Sequence, residues 1–380
     1  MNIEESRKKI DEIDRELVSL FRRRMEVCAD IGRYKAENDL PLTDTVRERE
    51  KLYEVSGMVD EGMHRYMAEL YSTIFDISKA YEAQIIGCKT PLGGQIQTAI
   101  ENTPKEFPER AMIACQGVEG AFSQIACERL FTLPSILYFK NFDAVFTAIE
   151  KGLCRYGVLP IENSTAGSVN KVYDLMMKHK FSIVRSIRLK VDHCLVGKEG
   201  AKLSDIKEVI SHEQAINQSA EFLKSLGDIK ITFCENTAEA AKTVAESGRS
   251  DLAALCSRSC ASIYGLSCLE DNVQDQGSNF TRFICISKEM EIYPGADKTS
   301  IMAVTAHIPG ALFKLLSRFY AFGVNLTKLE SRPLPDKNFE FMFYFDIEKS
   351  VYSPEFVRMI EEIGELCERF EYLGSYSEVI

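Results

Sequence analysis

From Ile3 to about Lys35 the chain has no proline and one glycine, Gly32, and it places apolar residues at Ile10, Ile13, Leu17, Leu20, Phe21, Cys28 and Ile31. That spacing is the 3.6-residue period of an amphipathic helix, about 45 Å long at the usual rise per residue. A turn at NDLPLTD and helical runs near Val46 to Val55 and Met63 to Ile86 complete an all-α module over residues 1–86. Three helices of this size cannot wrap a monomeric core around so extended an element. An intertwined dimer is expected, and with it a homo-oligomer of at least two copies.

The full chain of 380 residues, 45% of them hydrophobic, is too long for one core of ordinary size, so further domains follow. A formal net charge of -11 argues against nucleic acid as a partner, because such binding needs a basic face to release counterions. The 12 cysteines are scattered, with no CxxC pair and no zinc-type His/Cys spacing, so reduced thiols, no bound metal and a cytoplasmic location are expected. MNIEESRKKIDEID lacks an apolar signal core, and no run of eighteen apolar residues occurs, so no membrane partner is expected.

Residues 87–110 mix glycine, proline and charge without a sustained period and read as a linker. Between 111 and 288, short apolar runs (MIAC, YGVLP, SIVRSIRL, EVISH, IKITFC, DLAALC, RFICIS) alternate with helical ones (SQIACERLF, DAVFTAIEKG, NTAEAAKTVAESG), which is an α/β pattern. The segment 299–380 reads strand, helix, strand, strand, helix, strand, the βαββαβ order of a ferredoxin-like domain.

Within the apolar stripe of the first helix, Arg24 and Lys35 lie near the centre and Arg7 at the edge. A cation facing a core is costly unless paired, so these side chains make ion pairs, snorkel, or bind an anion. Ser78 interrupts the stripe of the third helix, and Glu82 lies one turn further on. With Asp44, Arg47 and Glu48 of PLTDTVREREKL, this spacing resembles the all-helical chorismate mutase family. The resemblance implies a cofactor-free rearrangement of chorismate to prephenate. Arginine forks, Arg24 among them, would hold the two carboxylates. Arg7 would reach the partner subunit's site, Lys35 would bond the ether oxygen, and Glu48 would take the ring hydroxyl. Glu82 stands where many bacterial relatives carry Gln, and a carboxyl donates a hydrogen bond only when protonated.

Four blocks in the middle region, GVEGAFSQIA, LPIENSTAGSV, SHEQAINQ and NFTRF, resemble the prephenate dehydratase family and fall in family order. The implied fold has two lobes of the periplasmic-binding type, with the site in the cleft and residues roughly 190–268 as the second lobe. Prephenate must lose hydroxide and carboxylate together, so a donor has to feed the leaving hydroxyl. By resemblance Thr281 is that donor. Asn163, Ser164, Ser211 and Gln218 supply neutral hydrogen bonds, Glu162 orients them, and Arg282 of the same TRF motif joins the substrate-binding set.

IPGALFKLL and NLTKLESRP resemble the regulatory ACT domain. That implies a phenylalanine site drawing on Gly310, Ala311 and Leu312 at a helix start and on Asn325, Leu326, Glu330, Ser331 and Arg332. Taken together, the resemblances imply consecutive mutase and dehydratase activities on chorismate and prephenate, restrained by phenylalanine and needing no cofactor. An NAD-dependent prephenate dehydrogenase partner domain would need a GxGxxG turn, and the chain has none. A non-catalytic ligand sensor is disfavoured by the intact TRF and ENS motifs.

Overall fold

The computed structural model describes residues 2–380 apart from 39, 42–43, 87–89, 276 and 335–340, and it describes the backbone alone at 45, 83, 84 and 86. Residues 1–94 and 95–380 form two compact units.

In the first unit, α1 (Ile3–Glu37) starts at a capping box in which the Asn2 side chain and Glu5 satisfy each other's backbone N–H groups. Asp44 caps α2 (Thr45–Ser56) by accepting from Arg47 N at 2.9 Å. The third helix is α3 (His64–Ile86), and both α1 and α2 pack on it. The stripe on the first half of α1 is left uncovered, with Ile10, Ile13, Leu17 and Leu20 each more than half exposed. Residues 39 and 42–43 of the expected turn, and 87–89 of the expected linker, lie outside the described residues.

The rest of that linker differs from expectation. It holds α4 (Pro91–Asn102), whose Ile96 and Ala99 are buried, and Phe107 packs on Phe131 and Tyr293. The helix begins at proline, which suits a first-turn position, and the burial of Ile96 and Ala99 rather than any long period holds it in place.

The second unit continues with β1 (Arg110–Gln116), α5 (Phe122–Leu130), β2 (Leu133–Phe139), α6 (Phe142–Glu150), β3 (Tyr156–Asn163), β4 (Gly167–Ser168), α7 (Asn170–His179) and β5 (Ser182–Lys190). A second lobe follows, formed by β6 (Cys194–Gly197), β7 (Glu208–Ser211), α8 (Glu213–Gln218), α9 (Ala220–Ser225), β8 (Lys230–Phe233), α10 (Thr237–Glu246), β9 (Leu252–Cys256), α11 (Arg258–Tyr264) and β10 (Ser267–Glu270). β11 (Phe280–Ser287) then returns to the first lobe, inserting antiparallel between β3 and β5. The second lobe has its own five-stranded sheet, in the order β10-β6-β9-β7-β8.

The C-terminal segment runs β12 (Lys298–Val304), α12 (Ala311–Ala321), β13 (Asn325–Pro333), β14 (Phe341–Glu348), α13 (Phe356–Glu365), β15 (Arg369–Tyr376) and β16 (Glu378–Val379). Its antiparallel sheet, β13-β14-β12-β15, has the βαββαβ connectivity. One face meets the helices, where Phe319 packs on Phe345. The other face, through Met302, Val304, Met342 and Tyr344, shares a core with Val172, Tyr173 and Ile284 of the first lobe. β16 adds itself to β5 as an edge strand, and a Cβ on Gly374 would come within 2.3 Å of Ile183 O, so only glycine permits that approach. Among the described residues, no helix is long and apolar enough to cross a membrane.

Candidate active sites

In the helical unit, α1 and α3 bring their polar interruptions together in two groups. Arg24 Nη1 donates to Ser78 Oγ and lies 3.7 Å from Cys28 Sγ, with its guanidinium over the Phe75 ring. Ser78 Oγ in turn donates to Ile74 O at 2.6 Å. About three turns along α1, Lys35 Nζ donates to Glu82 Oε2 at 2.9 Å, an ion pair largely shielded from solvent. Glu48 pairs with Lys79, which also holds Asp76 at 3.2 Å. Lys79 is a cation of this group that motif reading missed.

Asp44 serves as a helix cap, and Arg47 is exposed. Arg7 is also exposed, and at 1.5 Å per residue it lies some 26 Å along α1 from Arg24, too far to join the same group within one chain.

In the α/β unit the lobes enclose a cleft of ≈ 460 Å³ whose walls include Asn163, Gln218, Thr281, His193, Phe122 and Phe283. An adjoining hollow of ≈ 470 Å³ shares Gln218 with it and adds Asn279 and Thr165. Among the described residues lining either space there is no Lys or Arg. The lining does carry the carboxylates Glu213, Glu235 and Asp275, and the side-chain donors it offers a bound anion are amides, hydroxyls and imidazoles.

Thr281 and Asn163 are register partners across β11 and β3. Asn163 Nδ2 donates to Thr281 Oγ1 at 2.9 Å and to Asn279 Oδ1 at 2.7 Å. Asn163 Oδ1 accepts from the backbone N–H groups of Thr165 and Ala166, at 3.0 and 2.9 Å. Because the threonine oxygen receives the amide's proton, its own O–H is left to donate into the cleft. Asn279 Nδ2 reaches Gln218 Oε1 at 2.9 Å, and His193 Nε2 lies 3.1 Å from that same oxygen. Burial lowers His193 below its ordinary 6.5, against smaller opposing effects from Gln218 and Asp192, so the ring is neutral.

Other expected members stand elsewhere. Ser211 is fully buried and donates to Leu255 O at 2.6 Å, a satisfied core hydroxyl. Ser164 Oγ accepts from Phe280 N at 2.9 Å and donates to Ser278 O at 3.2 Å, clamping the backbone before Thr281.

Arg282 and Glu162 face away from the cleft, because neighbours on a strand point to opposite sides. Arg282 Nη2 donates to Asp346 on β14, and its Nε lies 2.7 Å from Glu162 Oε1, a charge contact without hydrogen-bond alignment. Burial works against the Arg282 charge, but Asp346 and its neighbours hold the guanidinium firmly protonated. Burial likewise opposes ionisation of Glu162, yet Arg282 and then Lys328 keep its carboxyl below the ordinary range. Lys328 Nζ donates to Glu162 and, at 3.0 Å, to Ser168 Oγ.

The alternation on β13 turns Lys328, Glu330 and Arg332 toward the first lobe. Glu330 accepts from Ser168 at 2.8 Å, and Arg332 donates to Asp174 at 2.8 Å. These two side chains, expected at an effector site, are spent on contact between the C-terminal sheet and the first lobe. Ser331 and Asn325 are exposed, the latter bonded to Glu348 at 2.7 Å, and Leu326 is half-buried. Gly310, at φ +83, precedes α12, whose first residues Ala311 and Leu312 are half-buried.

Asn279 and His193 complete the cleft and escaped the motif reading. Asn279 was visible as a polar residue among aromatics in GSNFTRF; His193 had only its position at the entry to the apolar run CLVG as a signal. Among the described residues one triad has metal-ligand spacing, Cys194, Cys268 and Asp271. It is satisfied internally, since both thiols donate to Asp271 Oδ1 and Arg258 holds Oδ2.

The family model of prephenate dehydratase matches residues 113–291, and that of chorismate mutase type II matches residues 6–83. The arogenate dehydratase/prephenate dehydratase 1 of Arabidopsis thaliana is 38% identical over 284 residues, covering 70% of this chain and 72% of that protein. The structure of prephenate dehydratase from Arthrobacter aurescens in complex with L-Phe is similar with a TM-score of 0.64 and 25% identity, over 70% of this chain and 89% of that one. The bifunctional chorismate mutase/prephenate dehydratase of Escherichia coli (strain K12) is 30% identical over 380 residues, 97% of this chain and 95% of that protein. Two family models lie in series on one chain, and a relative carrying both names matches nearly end to end; the chain belongs to the bifunctional chorismate mutase/prephenate dehydratase family.

Proposed function

We infer that the chain rearranges chorismate to prephenate in its helical unit and converts prephenate to phenylpyruvate, water and carbon dioxide in the cleft of its α/β unit. The observation that carries the second step is the Asn163 amide donating to Thr281 Oγ1 at 2.9 Å in a cleft whose described walls hold amides and hydroxyls but no Lys or Arg. When the bond to the departing carboxylate breaks, its electron pair enters the ring as a new double bond and expels the ring hydroxyl. Thr281 donates to that oxygen as it leaves, and the proton that completes the water comes from solvent through the threonine or beside it. A threonine hydroxyl is too weak an acid to protonate the leaving group alone. Neutral donors orient the carboxylate without stabilising its ionised form as strongly as a cation, which favours loss of carbon dioxide.

For the mutase, Arg24 and Lys35 supply positive charge for a compact dianion, with Ser78, Glu48 and Glu82 around it and Arg7 arriving from a partner subunit. The exposed stripe on α1 supports an intertwined dimer, since a second copy would cover it. The C-terminal sheet acts as an ACT domain that takes phenylalanine near Gly310, where backbone N–H groups at the start of α12 suit an amino-acid carboxylate.

Purified protein given prephenate alone, without NAD, is expected to release phenylpyruvate and carbon dioxide. Unchanged prephenate after prolonged incubation with folded protein would overturn the dehydratase assignment.

A further inference from the structure

Amide and imidazole polarity in the cleft is fixed by a chain of hydrogen bonds that begins at the backbone. The N–H groups of Thr165 and Ala166 can only donate, so the Asn163 atom that meets them, at 3.0 and 2.9 Å, is its oxygen. Asn163 Nδ2 therefore points the other way, where it meets Thr281 Oγ1, Asn279 Oδ1 and the backbone oxygen of Phe280, and Thr165 Oγ1 adds a second donor to Asn279 Oδ1 at 3.1 Å. With its oxygen so engaged, Asn279 turns Nδ2 to Gln218, and the Gln218 atom at 2.9 Å is its oxygen. An amide oxygen only accepts, so His193 Nε2, 3.1 Å from it, carries a proton.

His193 is 3% exposed, and burial disfavours a second proton on the ring. Its Nδ1 has no hydrogen-bond partner among the described residues, as a bare nitrogen would not when no donor faces it. The ring also packs edge-on against Phe122, at 6.0 Å between centroids, which holds its plane.

We propose that His193 is a positioning residue of the dehydratase site, whose Nε2–H locks Gln218 so that the glutamine's NH2 group faces the substrate. The inference rests on the reading of the cleft as the prephenate site. Gln218 lines both the cleft and the adjoining hollow, and its oxygen is held by two donors from behind, leaving the amide nitrogen as the end offered to the ligand. Without the His193 donor, the amide has one bond instead of two against flipping, and a flipped Gln218 would present a carbonyl oxygen to a dianion.

Two measurements test this. In ¹⁵N-histidine-labelled wild-type protein at neutral pH, His193 is expected to show a protonated, pyrrole-type Nε2 and a bare, pyridine-type Nδ1, with its resonances assigned by their loss in His193→Gln. The opposite tautomer or an imidazolium would overturn the proposal, whatever the variants do. In steady-state assays with prephenate, His193→Leu should lower kcat/KM about 10- to 100-fold, on the scale of losing a residue that orients a substrate-contacting group. His193→Gln, which keeps an N–H near the same place, should recover activity to within about fivefold of wild type. Equal impairment in both variants, or full activity in His193→Leu, would contradict the role. A wild-type protein that does not convert prephenate at all would instead sink the underlying reading of the cleft, which separates the two failures.

Discussion

Thr281 concentrates the dehydratase chemistry in one hydroxyl, held as an acceptor by Asn163 so that it can act as a donor. Thr281→Ala is expected to lose on the order of 10² to 10⁴ in dehydratase kcat, the range for a positioned donor, while mutase activity persists. Thr281→Ser should keep most of the rate; a serine variant as inactive as the alanine one would mean that packing, not the hydroxyl, matters. Glu162 makes a second residue-scale case. Its carboxyl is held below the ordinary 4.5 by Arg282 and Lys328 despite burial, with Arg188 adding to them. A depressed carboxyl stabilises the fold above its unfolded value and loses that contribution as pH falls through the folded one. Urea unfolding should find Glu162→Gln less stable than wild type at pH 7, with the gap closing below about pH 4.5. A gap independent of pH would remove the ion pair from the account. At this scale motifs named the right neighbourhood and misjudged facing. TRF and ENS are continuous in sequence, but alternation sends Thr281 and Asn163 to the cleft and Arg282 and Glu162 to the opposite side. Asn279 and His193 belong to the cleft through hydrogen bonds to residues 61 and 25 positions away, which no local pattern encodes.

Among elements, β11 and β13 do the connecting. β11 carries Thr281 on one face and Arg282 on the other, and the second face meets β14 at Asp346, which is 1% exposed and also accepts from Ser300 Oγ at 2.5 Å. Asp346→Ala would leave Arg282 buried with one of its two carboxylate partners removed. Breaking a buried pair on one side costs about 3–5 kcal/mol, so the α/β unit should unfold at markedly lower urea. A loss below about 1 kcal/mol would show that Arg282 is paired adequately by Glu162 alone. The long periodic helices and the strands around YGVLP and RFICIS were legible because their apolar patterns are long or unbroken. α4 was not, because glycine and proline at its start hide a short amphipathic turn with Ile96 as its anchor. The facing of Lys328, Glu330 and Arg332 depends on which side of the C-terminal sheet meets the first lobe, a tertiary fact.

For the whole molecule, the C-terminal domain is joined to the dehydratase lobe by a shared core, by β16 on β5 and by the charge contacts of β13. The proposed effector control is therefore better probed by a point change than by removing residues 299–380, which would expose that core. Gly310, at φ +83, sits in a conformation that a β-branched residue resists. Gly310→Val is expected to weaken phenylalanine inhibition at least tenfold while dehydratase activity without phenylalanine persists; unchanged inhibition would place the effector elsewhere. The central claim is that one chain holds two separate sites acting in series, and chorismate alone tests it. Followed by NMR without added NAD, the wild type should turn chorismate into phenylpyruvate. Thr281→Ala should stop at prephenate, and Arg24→Ala should leave chorismate unrearranged beyond the spontaneous rate yet still consume added prephenate. Loss of both activities in either folded variant, or a wild-type product other than phenylpyruvate, would contradict the account.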